Sequence, residues 1–131
     1  MIQITTQEMI NGLPVFQILK TKELRARTAF AVARLIRDIE QEYKVFEQAR
    51  KDIILKYAEY DENHELKLVN DNVTLAPENI EKCNKELEEL LATPIELNAN
   101  YLTIDELDGI DLTPEQGFSL LPFINEKDPS Q

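Results

Sequence analysis

Any reaction chemistry in this chain would fall to one histidine, one cysteine or some selection from twenty-five carboxylates. His64 sits in the polar run Asp61-Glu62-Asn63-His64-Glu65, which reads as a solvent-facing turn. A Ser-His or Cys-His nucleophilic pair would depend on that one imidazole. Cys83 falls in an apolar helical register, so it is expected to be a small buried core residue and not a nucleophile. Transition-metal sites need clustered His and Cys ligands, which this sequence does not supply. Calcium requires a closer test, because Asp105-Glu106-Leu107-Asp108-Gly109 matches part of an EF-hand loop. Placing Gly109 at the glycine position puts Ile104 first, where an oxygen ligand is required. A loop begun at Asp61 puts Leu66 where the glycine belongs. No carboxylate pair lies in an apolar cleft pattern, and three glycines leave no Walker or dinucleotide motif. The expectation is a non-enzymatic protein with no cofactor and no metal.

Binding chemistry is better represented. Arg27, Arg34 and Arg37 recur close to one face of a long helical segment, with Lys20, Lys22 and Arg25 at its start. Arg25, Arg27, Arg34 and Arg37 are the candidate partner-binding residues, able to contact phosphates or an acidic surface. The competing assignment pairs these arginines with acids elsewhere in the chain, or lays their aliphatic stems along the core. The charge distribution makes both concrete. Residues 20–56 carry ten basic and six acidic side chains, a net of +4, whereas residues 57–131 carry four basic and eighteen acidic, a net of −14. The simplest account sets a basic helix beside an acidic second half, with exposed pairs worth ~0.2–1 kcal/mol each. The whole chain is at −11, which admits the further idea of an acidic mimic of a phosphate backbone.

The elements that must position these residues follow from periodicity. Between Lys22 and Tyr57 there is no Gly and no Pro, and Ala31, Val32, Leu35, Ile39, Phe46, Ala49, Ile53 and Tyr57 keep helical spacing. One long amphipathic helix is predicted over roughly Thr21 to Tyr60, with Thr21 as its N-cap. A second, shorter helix is predicted from Pro77 to Ala92, with Ile80, Cys83, Leu87, Leu90 and Leu91 on one face. If the two run antiparallel, the second covers only the C-terminal part of the first. The N-terminal part, carrying Phe30, Ala31, Val32, Leu35 and Ile36, then needs both chain ends. Those ends offer Met9, Ile10, Leu13, Phe16, Ile18 and Leu19, and Phe118, Leu120, Leu121, Phe123 and Ile124.

Between the helices, Glu65–Val69 alternates, Asn70-Asp71-Asn72 is turn-like, and Val73-Thr74-Leu75 can return as a second strand. So short a hairpin is marginal alone, and Pro94–Asn98 is the nearest candidate for a further strand. Leu102–Leu107 and Leu112–Gly117 echo each other, each with Thr followed three residues later by Glu or Gln, the capping-box signature of a helix start. The fold class is therefore mainly α: an antiparallel helical hairpin on one long helix, with a small β-ribbon and short C-terminal helical turns. Residues 1–125 are expected to form a single helical domain and 126–131 a flexible tail. No apolar run approaches the ~20 residues of a membrane span, and the start lacks the order of a signal peptide. No membrane partner is expected, and one cysteine fits a reducing interior.

Four segments carry a resemblance. Arg37–Lys51 (RDIEQEYKVFEQARK), the acidic turn at Glu59–Glu65, Asn84–Leu91 (NKELEELL) and Ile104–Leu107 (IDEL) resemble a family of small tailed-bacteriophage proteins of unassigned function. In that family a long helix, a variable polar insert and a Glu/Leu-rich helix follow in this order, here over about Thr6 to Ile124. The resemblance implies phage origin, with action in the cytoplasm of the infected bacterium or in the virion, and it brings no catalytic residues. The leading expectation is an interaction or assembly factor acting through a helical surface on a protein partner: itself, as a homo-oligomer, or a phage or host protein. The alternative is a regulatory or anti-defence protein that binds a host protein or nucleic acid.

Overall fold

The computed structural model describes residues 1–60, 62–69 and 72–125. Its elements run β1 (Ile2–Thr5), α1 (Thr6–Leu19), α2 (Ala26–Tyr57), β2 (Leu68–Val69), β3 (Asn72–Val73), α3 (Ile80–Leu91), β4 (Pro94–Leu97) and α4 (Pro114–Leu120). Short 3-10 turns lie at Pro77–Asn79, Asp105–Leu107 and Leu121–Phe123. The architecture is mainly helical on one long helix, with a ribbon between helices and short C-terminal turns, as the periodicity predicts. The chain forms two compact units, one from Met1–Tyr43 with Pro94–Gln131, the other from Lys44–Thr93.

In the first unit both chain ends join the N-terminal part of α2, as expected. Ile2, Ile4, Met9, Phe16 and Leu19 are buried with Val32, Leu35 and Ile39 of α2 and with Leu97, Leu102, Leu120 and Phe123. The rings of Phe16 and Phe123 meet edge to face, with centroids 4.9 Å apart. Gly12 is required here, because a Cβ on it would stand 2.5 Å from the Phe123 ring. The starts of α1 and α4 are set by side chains. Thr5 Oγ1 accepts from Glu8 N–H at 3.1 Å while Glu8 Oε1 accepts from Thr5 N–H at 2.9 Å, and Thr113 and Gln116 do the same for α4 at 3.2 and 2.9 Å. Thr103 and Glu106 repeat it, at 3.2 Å to the hydroxyl and 3.0 Å to the carboxylate. Gly109, with φ +84°, turns the chain between these two C-terminal starts.

Four expectations change in this unit. Thr21 is not the N-cap of the long helix; its hydroxyl donates to Ile18 O at 2.8 Å, closing α1, and α2 begins only at Ala26. The reason is that Thr6–Leu19 forms a capped helix of its own, so residues 20–25 connect two helices. Pro94–Leu97 does not extend the ribbon; it pairs antiparallel with β1, from Ile2↔Leu97 to Thr5↔Pro94. The alternation of Ile2 and Ile4 buries one face of that pair. Phe30, Ile18, Phe118 and Leu121, assigned above to the core, are exposed. Lastly, Arg25, Arg27 and Arg34 make no ion pair among the described residues, and Arg37 reaches its own neighbour Asp38 at 3.5 Å.

The second unit holds residues 44–57 of α2, the ribbon and α3. Phe46, Ala58 and Cys83 are buried, Cys83 completely, as its register requires. The ribbon β2–β3 forms between the helices as expected, but Asn72, assigned to the turn, belongs to β3 and pairs with Val69, while Asn70 and Asp71 lie outside the described residues. What supports it is the chain leaving α2: Ala58 bridges to Leu75 and Tyr60 to Leu66. Glu59 N–H donates to Thr74 O at 2.7 Å, and Lys67 N–H donates to Glu59 O at 2.9 Å. Among the described residues one ion pair joins α2 to the acidic half, Lys56 Nζ to Glu86 Oε1 at 3.0 Å. The hydrogen bond from Lys56 holds the Glu86 carboxyl below its ordinary range, and the same bond holds the Lys56 ammonium above its own. His64 is exposed in its turn, as expected.

Candidate functional site: an arginine cleft on the long helix

The first unit contains a cleft of about 310 Å³ lined by Arg27, Ala31, Arg34, Ala99, Asn100, Tyr101 and Glu106. Arg27 and Arg34 stand seven residues apart on α2, two turns, so the side chains lie almost one above the other, separated by ~10.5 Å along the axis. Ala31, midway between them, is small and leaves the space open. The opposite wall is residues 99–106, which have little regular structure of their own.

Two hydrogen bonds from the buried face of α2 hold that wall. Asp38, 6 % exposed, accepts from Ala99 N–H through Oδ2 at 2.9 Å. Thr28, 5 % exposed, donates its hydroxyl to Glu106 O at 3.0 Å. The wall is tied to β1 as well, since Tyr101 Oη accepts from Gln3 N–H at 3.3 Å. It is also closed on the far side, where Leu102 N–H donates to Phe123 O at 2.9 Å. The wall is thus braced by β1 and by Phe123 as well as by α2.

Its electrostatics are set by two exposed guanidinium groups without ion-pair partners among the described residues. A guanidinium presents planar paired donors that match a carboxylate or phosphate. Among the described residues the one acid lining the cleft is Glu106, whose Oε1 is committed to Thr103, accepting from both its N–H and its hydroxyl at 3.0 and 3.1 Å. The arrangement can hold an oxyanionic side chain. Beside it, Phe30 projects one turn from both Arg27 and Arg34 and is 66 % exposed.

Of the four arginines singled out by sequence, the structure therefore brings Arg27 and Arg34 into one cleft. Arg37 continues the same exposed flank, while Arg25 precedes the helix and does not line the cleft. Asn100, Tyr101 and Glu106 were not foreseen as lining residues, and no local pattern marks them. Thr28 and Asp38 did leave a signal: both are polar at positions interleaved with Val32, Leu35 and Ile39 on the apolar face.

No family model, curated protein or solved structure matches the chain. Among the described residues no helix is long and apolar enough to cross a membrane.

Proposed function

We propose that this is a non-enzymatic interaction or assembly factor that engages an acidic surface of another protein through Arg27, Phe30 and Arg34 of α2. The phage setting, in the infected cell or the virion, belongs to the same proposal. One observation carries it: two arginines enter one preorganised cleft without ion-pair partners among the described residues, beside an exposed phenylalanine. Arginine donors and an aromatic anchor are the composition of interface hot spots. Their placement on a helix held by buried hydrogen bonds limits the ordering cost of binding.

Nucleic acid is the second reading, because Phe30 and Tyr101 are exposed next to guanidinium groups and could stack on bases. Two features favour the protein reading. The chain carries −11 overall, which opposes approach to a polyphosphate, and a cleft with two arginines suits one discrete acidic side chain better than a repeating backbone. Affinity capture from nuclease-treated lysate, quantified by mass spectrometry, separates the two. The expected result is a protein partner retained after nuclease and lost with the Arg27→Glu/Arg34→Glu variant. Unchanged capture by that variant would refute the stripe as the binding surface, and loss on nuclease treatment would favour nucleic acid.

A further inference from the structure

The second large opening in the first unit is a groove of about 930 Å³ between α1 and α4. Its apolar lining includes Ile10, Pro14, Ile18 and Phe118, its charges are Glu8 and Glu115, and no Lys, Arg or His lines it among the described residues. Phe118 is 73 % exposed, and the apolar surface continues onto Leu121 at 42 %. These side chains have the size and character of core residues, yet among the described residues Ile18, Phe118 and Leu121 are left exposed. Pro14, set inside α1, offers no N–H to the carbonyl of Ile10. An occupant must therefore bring an apolar knob and cationic flanks.

One exposed surface on the same chain has that composition. Phe30 stands between Arg27 and Arg34 at three and four residues, on the outer flank of α2. Arginine supplies paired donors for Glu115, and the aromatic ring suits the space beside Phe118. We propose that the α1–α4 groove receives the Arg27–Phe30–Arg34 face of a second copy of this chain. The inference rests on the reading of that face as the binding surface and names its partner. Groove and face are different patches, so each copy offers both halves of the contact. The result is a reciprocal dimer where two-fold symmetry closes it and a head-to-tail array where it does not.

Sedimentation velocity on the intact chain tests this, with single substitutions at exposed positions that leave the core untouched. Wild type should sediment as a concentration-dependent oligomer that weakens as salt rises, since the contact includes charge pairs. Phe30→Ser and Phe118→Ser should each be monomeric, with wild-type helical circular dichroism. An equimolar mixture of the two should recover association, because one variant keeps its groove and the other keeps its arginine face. Wild type that stays monomeric up to ~1 mM, the weak end of specific association, would overturn the proposal. So would oligomers that survive both substitutions, or a mixture that stays monomeric. If wild type is monomeric while lysate capture remains dependent on Arg27 and Arg34, self-docking fails and the reading of the arginine face stands. If capture is independent of them as well, both fail.

Discussion

Replacing Asp38 by Ala would remove the acceptor that holds Ala99 N–H in a buried position. A buried donor left unpaired costs ~1–3 kcal/mol, so Asp38→Ala should lower the thermal midpoint by several degrees, with Asp38→Asn closer to wild type because an acceptor remains. The same substitution should weaken partner binding, since residues 99–101 form one wall of the arginine cleft. Calorimetry and a binding titration on one sample check both effects; an unchanged midpoint would remove Asp38 from this role. Gly12→Ala tests packing at the other side of the unit. Its new methyl meets the fully buried Phe123 ring, and overpacking of this kind costs typically ~1–3 kcal/mol. A chemical-denaturation midpoint equal to or above wild type would show that the ring yields more easily than its burial implies.

At the scale of elements, the Lys56–Glu86 pair gives a pH dependence whose sign is fixed. Glu86 has a folded pKa below its ordinary 4.5, so the stability it contributes is present above that value and lost as pH falls through the folded one. Lys56 has a folded pKa above its ordinary 10.5, so its contribution is present below that value and lost as pH rises past the folded one. Melts of wild type should form a plateau between these limits, and Lys56→Met should flatten both edges by a small amount, because the pair is solvent-exposed. Identical pH profiles for wild type and variant would contradict the pairing.

Much of the element order was legible before the structure. The long helix, the second helix with Cys83 inward and the two C-terminal capping boxes follow from spacing that local physics enforces. Thr5 and Glu8 carry the same capping signature, and Ile2 and Ile4 the alternation of a strand, but β1 and α1 were read only as an apolar opening segment. The pairing of β1 with β4 was not legible, because the paired residues lie 89 to 95 positions apart and nothing local encodes register. For the same reason Arg27 and Arg34 could be nominated from α2 alone, whereas Asn100, Tyr101 and Glu106 could not. Exposure of Phe30 and Phe118 departs from hydropathy, since a residue that serves a partner surface looks like core in one dimension.

On the scale of the molecule, the net charge of −11 hides a local reversal, a basic helix start within an acidic chain. Such asymmetry steers encounter and sets orientation more than it adds affinity. The central claim is that the Arg27–Phe30–Arg34 face is where another protein binds. Its most direct test places a benzophenone photo-crosslinking residue at position 30 in the full chain, irradiates it in nuclease-treated lysate and with purified protein, and identifies adducts by mass spectrometry. The account predicts covalent adducts to an acidic protein surface, a second copy included, that disappear when Arg27 and Arg34 are changed to Glu. Adducts that persist in that variant, or no adduct above a probe placed at exposed Glu96, would contradict it.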